Sequence, residues 1–326
     1  MSDLQPAAAL RRAVVQAVRA PSIHNTQPWR FVLGPDRLDV YADPSRRLRV
    51  LDPQSRQLTL SCGCAVFNAR AALAADGIAT AVELYPESAL PQLAARIVVD
   101  RSRGPLADLA RLDRVIDTRQ TNRRAFTSES VPDDLVQLLI AAAHDEGVEL
   151  LPVVSLDDRL TLAELSQMAD RQELLDPAYR AELRAWTSDD AYRPDGVTAA
   201  VVPHVSGGAE DDLPIRDFDT RGAGELPTHT RSSLAQCLLL LGVREESAAA
   251  WLRAGQGLER ILLEIARHGY ATSPLTQVIE VAHTNALLRS RLGLRIYPQV
   301  LLRVGRAPRT PQTRRRRLVD VLTEMS

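Results

Sequence analysis

The sequence predicts an α+β fold assembled from two half-similar repeats. Three observations carry that expectation. Two long stretches of helical periodicity, Leu58–Gly77 and Glu246–His268, each close on a glycine or run directly into one, Gly77 and Gly269. Strand-like segments follow each, ending in Leu93–Val99 and in Pro298–Gly305. Those final segments share an opening, Pro91-Gln92-Leu93 against Pro298-Gln299-Val300, and Cys62-Gly63-Cys64 aligns with Ala254-Gly255-Gln256 on the two helices. A repeat this long is a duplicated unit rather than a solenoid period.

Composition supports a globular chain. Of 326 residues, 45% are hydrophobic, 25% charged and only 4% aromatic, so the core must be mostly aliphatic. A net charge of -1 speaks against nucleic acid or an anionic membrane as the main partner. All 40 Lys-or-Arg positions are Arg. Any cationic role at a cofactor therefore falls to guanidinium groups, which bind phosphate bidentately and form no Schiff base. Three cysteines, Cys62, Cys64 and Cys237, make a poor disulfide framework. There is no signal-like N-terminus, and no apolar run approaches the roughly 20 residues that span a bilayer. A cytoplasmic, reducing setting is expected.

Taken in order, a helix-like stretch leads to Ala20-Pro21-Ser22-Ile23-His24-Asn25-Thr26-Gln27-Pro28-Trp29-Arg30-Phe31. Two X-Pro steps restrict Ala20 and Gln27 to extended or turn geometry. Ser22, Asn25 and Thr26 can cap backbone groups or face a ligand. Trp29 and Phe31 then return the chain to a core. The helix Leu58–Gly77 places Leu58, Cys62, Ala65, Val66, Ala69 and Leu73 on one face. Asp117–Phe126 follows the first repeat; its Arg119, Thr121 and Arg123 put two guanidiniums and a hydroxyl at i, i+2 and i+4. On a turn they can converge on one anion; otherwise they form a solvated basic face. The counterpart of the Pro21–Trp29 loop, His144–Pro152, has lost that motif.

Pro203–Pro227 is a long insertion with Gly-rich ends and an acidic centre, either a lid or a surface loop. After the second helix, Gly269–Gln277 has too many small and hydroxyl residues for a plain connection. Arg314–Arg317 follows the last strand, and the apolar Leu318–Leu322 suggests that this tail docks. No G-x-G-x-x-G opens a helix, and neither a P-loop nor H-E-x-x-H occurs. No metal site is expected: Cys62 and Cys64 lack further ligands nearby.

The order P-S-x-x-N-x-Q-P-W resembles a loop of the FMN-dependent nitroreductase family, and its His before Asn is most similar to the actinobacterial two-repeat branch. Arg119-x-Thr121-x-Arg123 resembles the family's R-x-S-x-R element, and the Arg tail resembles its basic pair. The resemblance implies a nitroreductase fold whose two fused repeats, 1–108 and 109–326, mimic the family homodimer, with a lid at 203–227. It implies one FMN between the repeats. Arg119, Thr121, Arg123, Arg315 and Arg316 would hold the phosphate. Pro21, Ser22 and Asn25 would close one side. Pro274 and Leu275 would lie against the ring, with a backbone N–H of Thr276 or Gln277 at N5. Many family members carry Glu-Gly at those last two positions. No side chain is assigned a catalytic role, His24 included, because the chemistry lies on the flavin. The implied activity passes electrons from NAD(P)H through FMN to a nitroaromatic or quinone. The rival implication is a protein that sequesters FMN with little turnover; a third is a structural protein that has lost flavin. A monomer (an internal pseudo-dimer) or a weak homodimer is expected.

Overall fold

A computed structural model describes residues 6–325, apart from 189, 191, 204–212, 221, 223 and 227–235. Its architecture is α+β, with helices packed between and around two sheets. The first sheet has the order Leu322–Glu324, Trp29–Leu33, Arg37–Ala42, Leu93–Val99, Thr80–Leu84. The second has the order Glu149–Pro152, Cys237–Val243, Tyr297–Gly305, Ala271–Pro274. Setting the last strand aside, both sheets arrange their strands first, second, fourth, third along the chain. Each also has a helix before its first strand, Pro6–Ala17 or Asp133–Asp145, and a long helix between its second and third, Arg56–Ala75 or Ala248–Arg267.

The two long helices form the centre. Sequence periodicity locates both to within two residues of their observed ends. Gly77 and Gly269 end them at φ +80 and +77, a backbone geometry that an L side chain rarely adopts. The helices cross where Gly63 faces Gly255. A Cβ on Gly63 would lie 2.9 Å from Gly255 Cα, and one on Gly255 would lie 2.8 Å from Gly63 Cα. The contact is reciprocal: each added carbon would also strike the other helix's backbone, at Leu252 or Leu60. Only glycine permits backbones to approach this closely.

The first central helix has mean hydropathy 1.4 and is long and apolar enough to cross a membrane, with 89% of its most apolar window buried inside the protein. The sequence reading that no segment approached that length is thereby corrected. Polar Gln57, Thr59, Ser61 and Asn68 interrupt the apolar run, yet all four are buried with the apolar residues.

The C-terminal segment returns to the first half. Leu322–Glu324 pairs in parallel with Trp29–Leu33, Phe31 opposite Leu322. The second sheet and its helices lie after residue 109, while the C-terminal tail crosses back and completes the first sheet. The three cysteines are free, Cys62 and Cys64 being buried.

Candidate functional site

A cleft runs between the halves and has two lobes. One, of about 720 Å³, is walled by Arg19, Arg119, Arg123, Arg315 and Thr121 together with Pro21, Ser22 and Asn25. The other, of about 910 Å³, is more apolar and is walled by Leu60, Leu258, Leu262, Val300, Pro274 and Phe218, among others. Pro21, Ser22, His24, Thr121 and Arg123 line both, so the two lobes adjoin along these residues.

The loop between the first helix and first strand is held in an unusual conformation. His24, Asn25 and Gln27 have φ of 47, 54 and 50, a region costly for residues other than glycine. Local bonds fix it: Gln27 N–H donates to Ser22 Oγ at 2.9 Å, and Ile23 N–H to Ser61 Oγ at 3.2 Å. The Asn25 amide donates to Gly196 O at 3.0 Å, and the Gln27 amide to Pro194 O at 2.8 Å. The outcome aims His24 into the cleft. Its ring is 5% exposed, neither nitrogen has a partner among the described residues, and Phe218 meets it edge-on at 5.2 Å. Burial, then Arg216 and Arg123, hold it well below the usual imidazole range, so it is neutral.

The first lobe is electropositive. Arg119 is 7% exposed; its Nε lies 3.5 Å from Glu259 Oε1. Arg315 donates to Arg19 O at 3.2 Å and to Thr313 Oγ1 at 2.6 Å. Burial, with Arg119 and Arg19 nearby, pushes Arg315 down to about 9, which leaves it charged at neutral pH. Arg123 stands where the lobes meet, its guanidinium 4.7 Å from the Phe218 ring centroid and 3.4 Å from Val201 O, with no carboxylate partner among the described residues. Burial and Arg216 push it down to about 10.

At the far end, Thr276 and Gln277 follow the strand Ala271–Pro274. The Gln277 amide is bound to Asp170 Oδ1 at 2.9 Å and Glu173 Oε2 at 2.8 Å. Both carboxyls are raised, chiefly by burial. Arg216 lines the same lobe and joins this cluster through Glu280, Tyr179 Oη and, at 3.8 Å, Glu173.

Ten of the residues singled out from sequence line this cleft: Pro21, Ser22, Asn25, Arg119, Thr121, Arg123, Pro274, Thr276, Gln277 and Arg315. Two stand apart. Leu275 turns into the second core cluster, its N–H bonded to Leu301 O at 2.8 Å, because strand alternation puts it on the face opposite Pro274. Arg316 points away from Arg315 and binds Gln27 O at 3.1 Å, Trp29 O at 3.3 Å and Asp320 O at 2.8 Å, anchoring the tail. Of Pro203–Pro227, residues 204–212, 221, 223 and 227 lie outside the described residues. Of the described remainder, Ile215, Arg216 and Phe218 line the apolar lobe. Those three, and the central-helix residues Leu60, Leu258 and Leu262, were not legible as site residues; each reads as ordinary core or loop.

No protein-family model matches the chain. Two relatives from Mycobacterium tuberculosis (strain H37Rv) are each named "Putative NAD(P)H nitroreductase". One, Rv3131, is 34% identical over 320 residues, 96% of this chain and 90% of its own. The other, acg, is 32% identical over 327 residues, 96% and 94% respectively. This chain belongs to the same family, that of the NAD(P)H nitroreductase-like proteins. Solved structures overlap more loosely. NfnB of Mycobacterium smegmatis, in complex with NADPH, covers 67% of this chain and 99% of its own at 18% identity and TM-score 0.39. A nitroreductase of Desulfitobacterium hafniense with bound FMN covers 68% and 100% at 12% identity and TM-score 0.42.

Proposed function

We propose that the protein binds one FMN in this cleft and transfers electrons from NAD(P)H to a small acceptor of the nitroaromatic or quinone type. The observation that carries the reading is the order of the two lobes. FMN is a dianionic phosphate joined through a hydroxylated chain to a flat, largely apolar ring, and the cleft offers a guanidinium-rich end, a polar junction and an apolar end in that sequence. Arg119, Arg315 and Thr121 would hold the phosphate by charge-assisted bonds. Ser22 and His24, at the junction, have polar atoms suited to the chain. Pro274, Leu258 and Leu262 would flank the ring, with the backbone of Thr276 or Gln277 at its edge. The Gln277 side chain is engaged with Asp170 and Glu173, so a replacement of the family's usual residue there need not obstruct a backbone contact. When bound, FMN supplies the hydride and electron chemistry. The protein's part is to orient it and exclude water. The visible spectrum of the purified protein tests this: flavin bands should appear, bleach on anaerobic addition of NADPH and return with an acceptor. Protein that stays colourless and takes up no added FMN would reject the reading.

A second reading, FMN storage with little turnover, is favoured by one observation. Ile215, Arg216 and Phe218 pack on the apolar lobe, and Arg216 is fastened by Glu280, Glu173 and Tyr179. A covered ring would exchange electrons slowly. Steady-state NAD(P)H oxidation by flavin-loaded protein separates the two.

We further infer that the chain is an internally duplicated, self-contained pseudo-dimer with one degenerate site. The matching strand orders and reciprocal glycine crossing support duplication. In the Gly63–Gly255 register Arg70 matches Leu262 of the apolar lobe, and there Arg70 and Arg260 bind Glu146 at 2.6 and 3.0 Å and Arg260 binds Asp145 at 2.7 Å, so ion pairs stand where a second site would need apolar walls. Three unpaired cysteines suit a reducing, cytoplasmic setting.

A further inference from the structure

One acid stands behind the cationic lobe. Glu259, one turn past the glycine crossing, is 0% exposed, and its Oε1 lies 3.5 Å from Arg119 Nε. Neither carboxylate oxygen reaches hydrogen-bond geometry with a described residue. The groups facing it are Arg119 from the turn after the first half, Arg315 from the C-terminal segment, and the Asn68 amide and Cys64 thiol from the first central helix. Beyond them Arg19 pairs with Asp117 at 3.3 Å. Burial pushes the Glu259 carboxyl up to about 7, against the pull of Arg119, Asn68 and Arg315. Packing alone does not call for an acid here. In the register that sets Gly63 against Gly255, the matching residue of the first central helix is Phe67, fully buried. An imperfectly paired carboxylate in such a place is costly.

We propose that Glu259 is an exchangeable counter-ion of the anion lobe: without ligand its carboxylate holds Arg119 and balances the nearby charge of Arg315, and when a phosphate arrives it takes a proton from solvent and leaves both positive charges to the ligand. This rests on reading the lobe as the seat of the FMN phosphate. Glu259 is a positioning residue that acts through the two arginines. The sign follows from linkage. A dianion placed nearby disfavours the carboxylate further, so the bound state holds more protons than the free state. Affinity should rise as pH falls from about 8.5 toward 7 and level off below.

Calorimetric titration of flavin-free protein with FMN at about pH 8, where a phosphate monoester is already dianionic, reads the proton directly if two buffers of unlike ionisation heat are used. The wild type should take up roughly 0.5–1 proton per FMN. Glu259→Gln should take up almost none, bind about threefold or more tighter at that pH, and lose its pH dependence. Glu259→Asp should restore uptake. No uptake by the wild type, undiminished uptake by Glu259→Gln, or weaker binding by Glu259→Gln at every pH would overturn the proposal; the last is what a purely structural acid would give. Should Glu259→Gln fail to fold, thermal protection of the wild type by sulfate, which does not titrate here, decides instead: greater protection at about pH 6 than at about pH 7.5, a range in which Arg315 stays charged, is expected, and equal protection overturns. FMN that does not bind at all rejects the functional reading, while the sulfate comparison still reports on Glu259.

Discussion

Adjacent residues divide the work of the cleft unexpectedly. Arg315 lines the anion lobe, whereas Arg316 spends its guanidinium on three backbone carbonyls that anchor the tail. Arg119→Ala or Arg315→Ala should therefore weaken FMN binding by about 1.5–3 kcal/mol, the scale of a hydrogen bond to a charged group. Arg316→Ala should chiefly lower the melting temperature. Equal loss of FMN affinity in all three, by fluorescence titration, would refute this division. His24 makes a second residue-scale expectation. It is buried neutral, its folded value lying well below the ordinary one. Below the unfolded value of about 6.5 the unfolded chain then binds more protons than the native one, so stability should fall with pH by up to about 1.4 kcal/mol per unit. Denaturant melts of the flavin-free protein at about pH 7.5 and 5.5 should give a smaller acid loss in His24→Asn, a residue that tolerates positive φ. An unchanged acid loss would mean that His24 is protonated in the native state.

Among the elements, the two central helices decide where the cleft can be. Their glycine crossing brings the backbones together and sets Leu60 and Cys64 of one beside Leu258 and Leu262 of the other along the apolar lobe. Gly255→Ala would need the helices to part, since its Cβ would fall 2.8 Å from Gly63 Cα. A loss of about 2–3 kcal/mol is expected, typical of overpacking that backbone cannot relieve. Thermal or urea unfolding measures it; a loss under about 0.5 kcal/mol, the range of ordinary surface changes, would show that the crossing yields easily.

At the scale of the whole molecule, the cleft draws on both halves and on the returning tail. Its parts occur once: the Pro21–Asn25 loop in one half, the Arg119–Arg123 turn and Thr276–Gln277 in the other. Where a twin would lie, Arg70, Glu146 and Arg260 form ion pairs. Flavin released on denaturation should therefore approach one equivalent per chain. Two equivalents would mean that the ion-paired region opens to a second ligand.

The sequence alone determined what local patterns encode. Periodicity located both central helices to within two residues, the glycines after them marked their ends, and the alignment of Cys62-Gly63-Cys64 with Ala254-Gly255-Gln256 pointed to a repeat; that Gly63 and Gly255 meet at a crossing came only from the fold. The motif residues of the cleft were legible because clusters of turn-forming residues and guanidiniums stand out within a few neighbouring positions, and the resemblance to the nitroreductase family gave those clusters a shared role. Tertiary structure decided the rest. Arg315 and Arg316 differ only in which way an irregular tail turns, and Leu275 only in which strand face it takes. Glu259 is an ordinary helical glutamate until Arg119, 140 positions earlier, and Arg315, 56 later, are folded against it. Arg216 likewise gains its place only from Glu173 and Glu280. Burial and charge pairing across such separations depend on the packed chain, and no short window of sequence contains them.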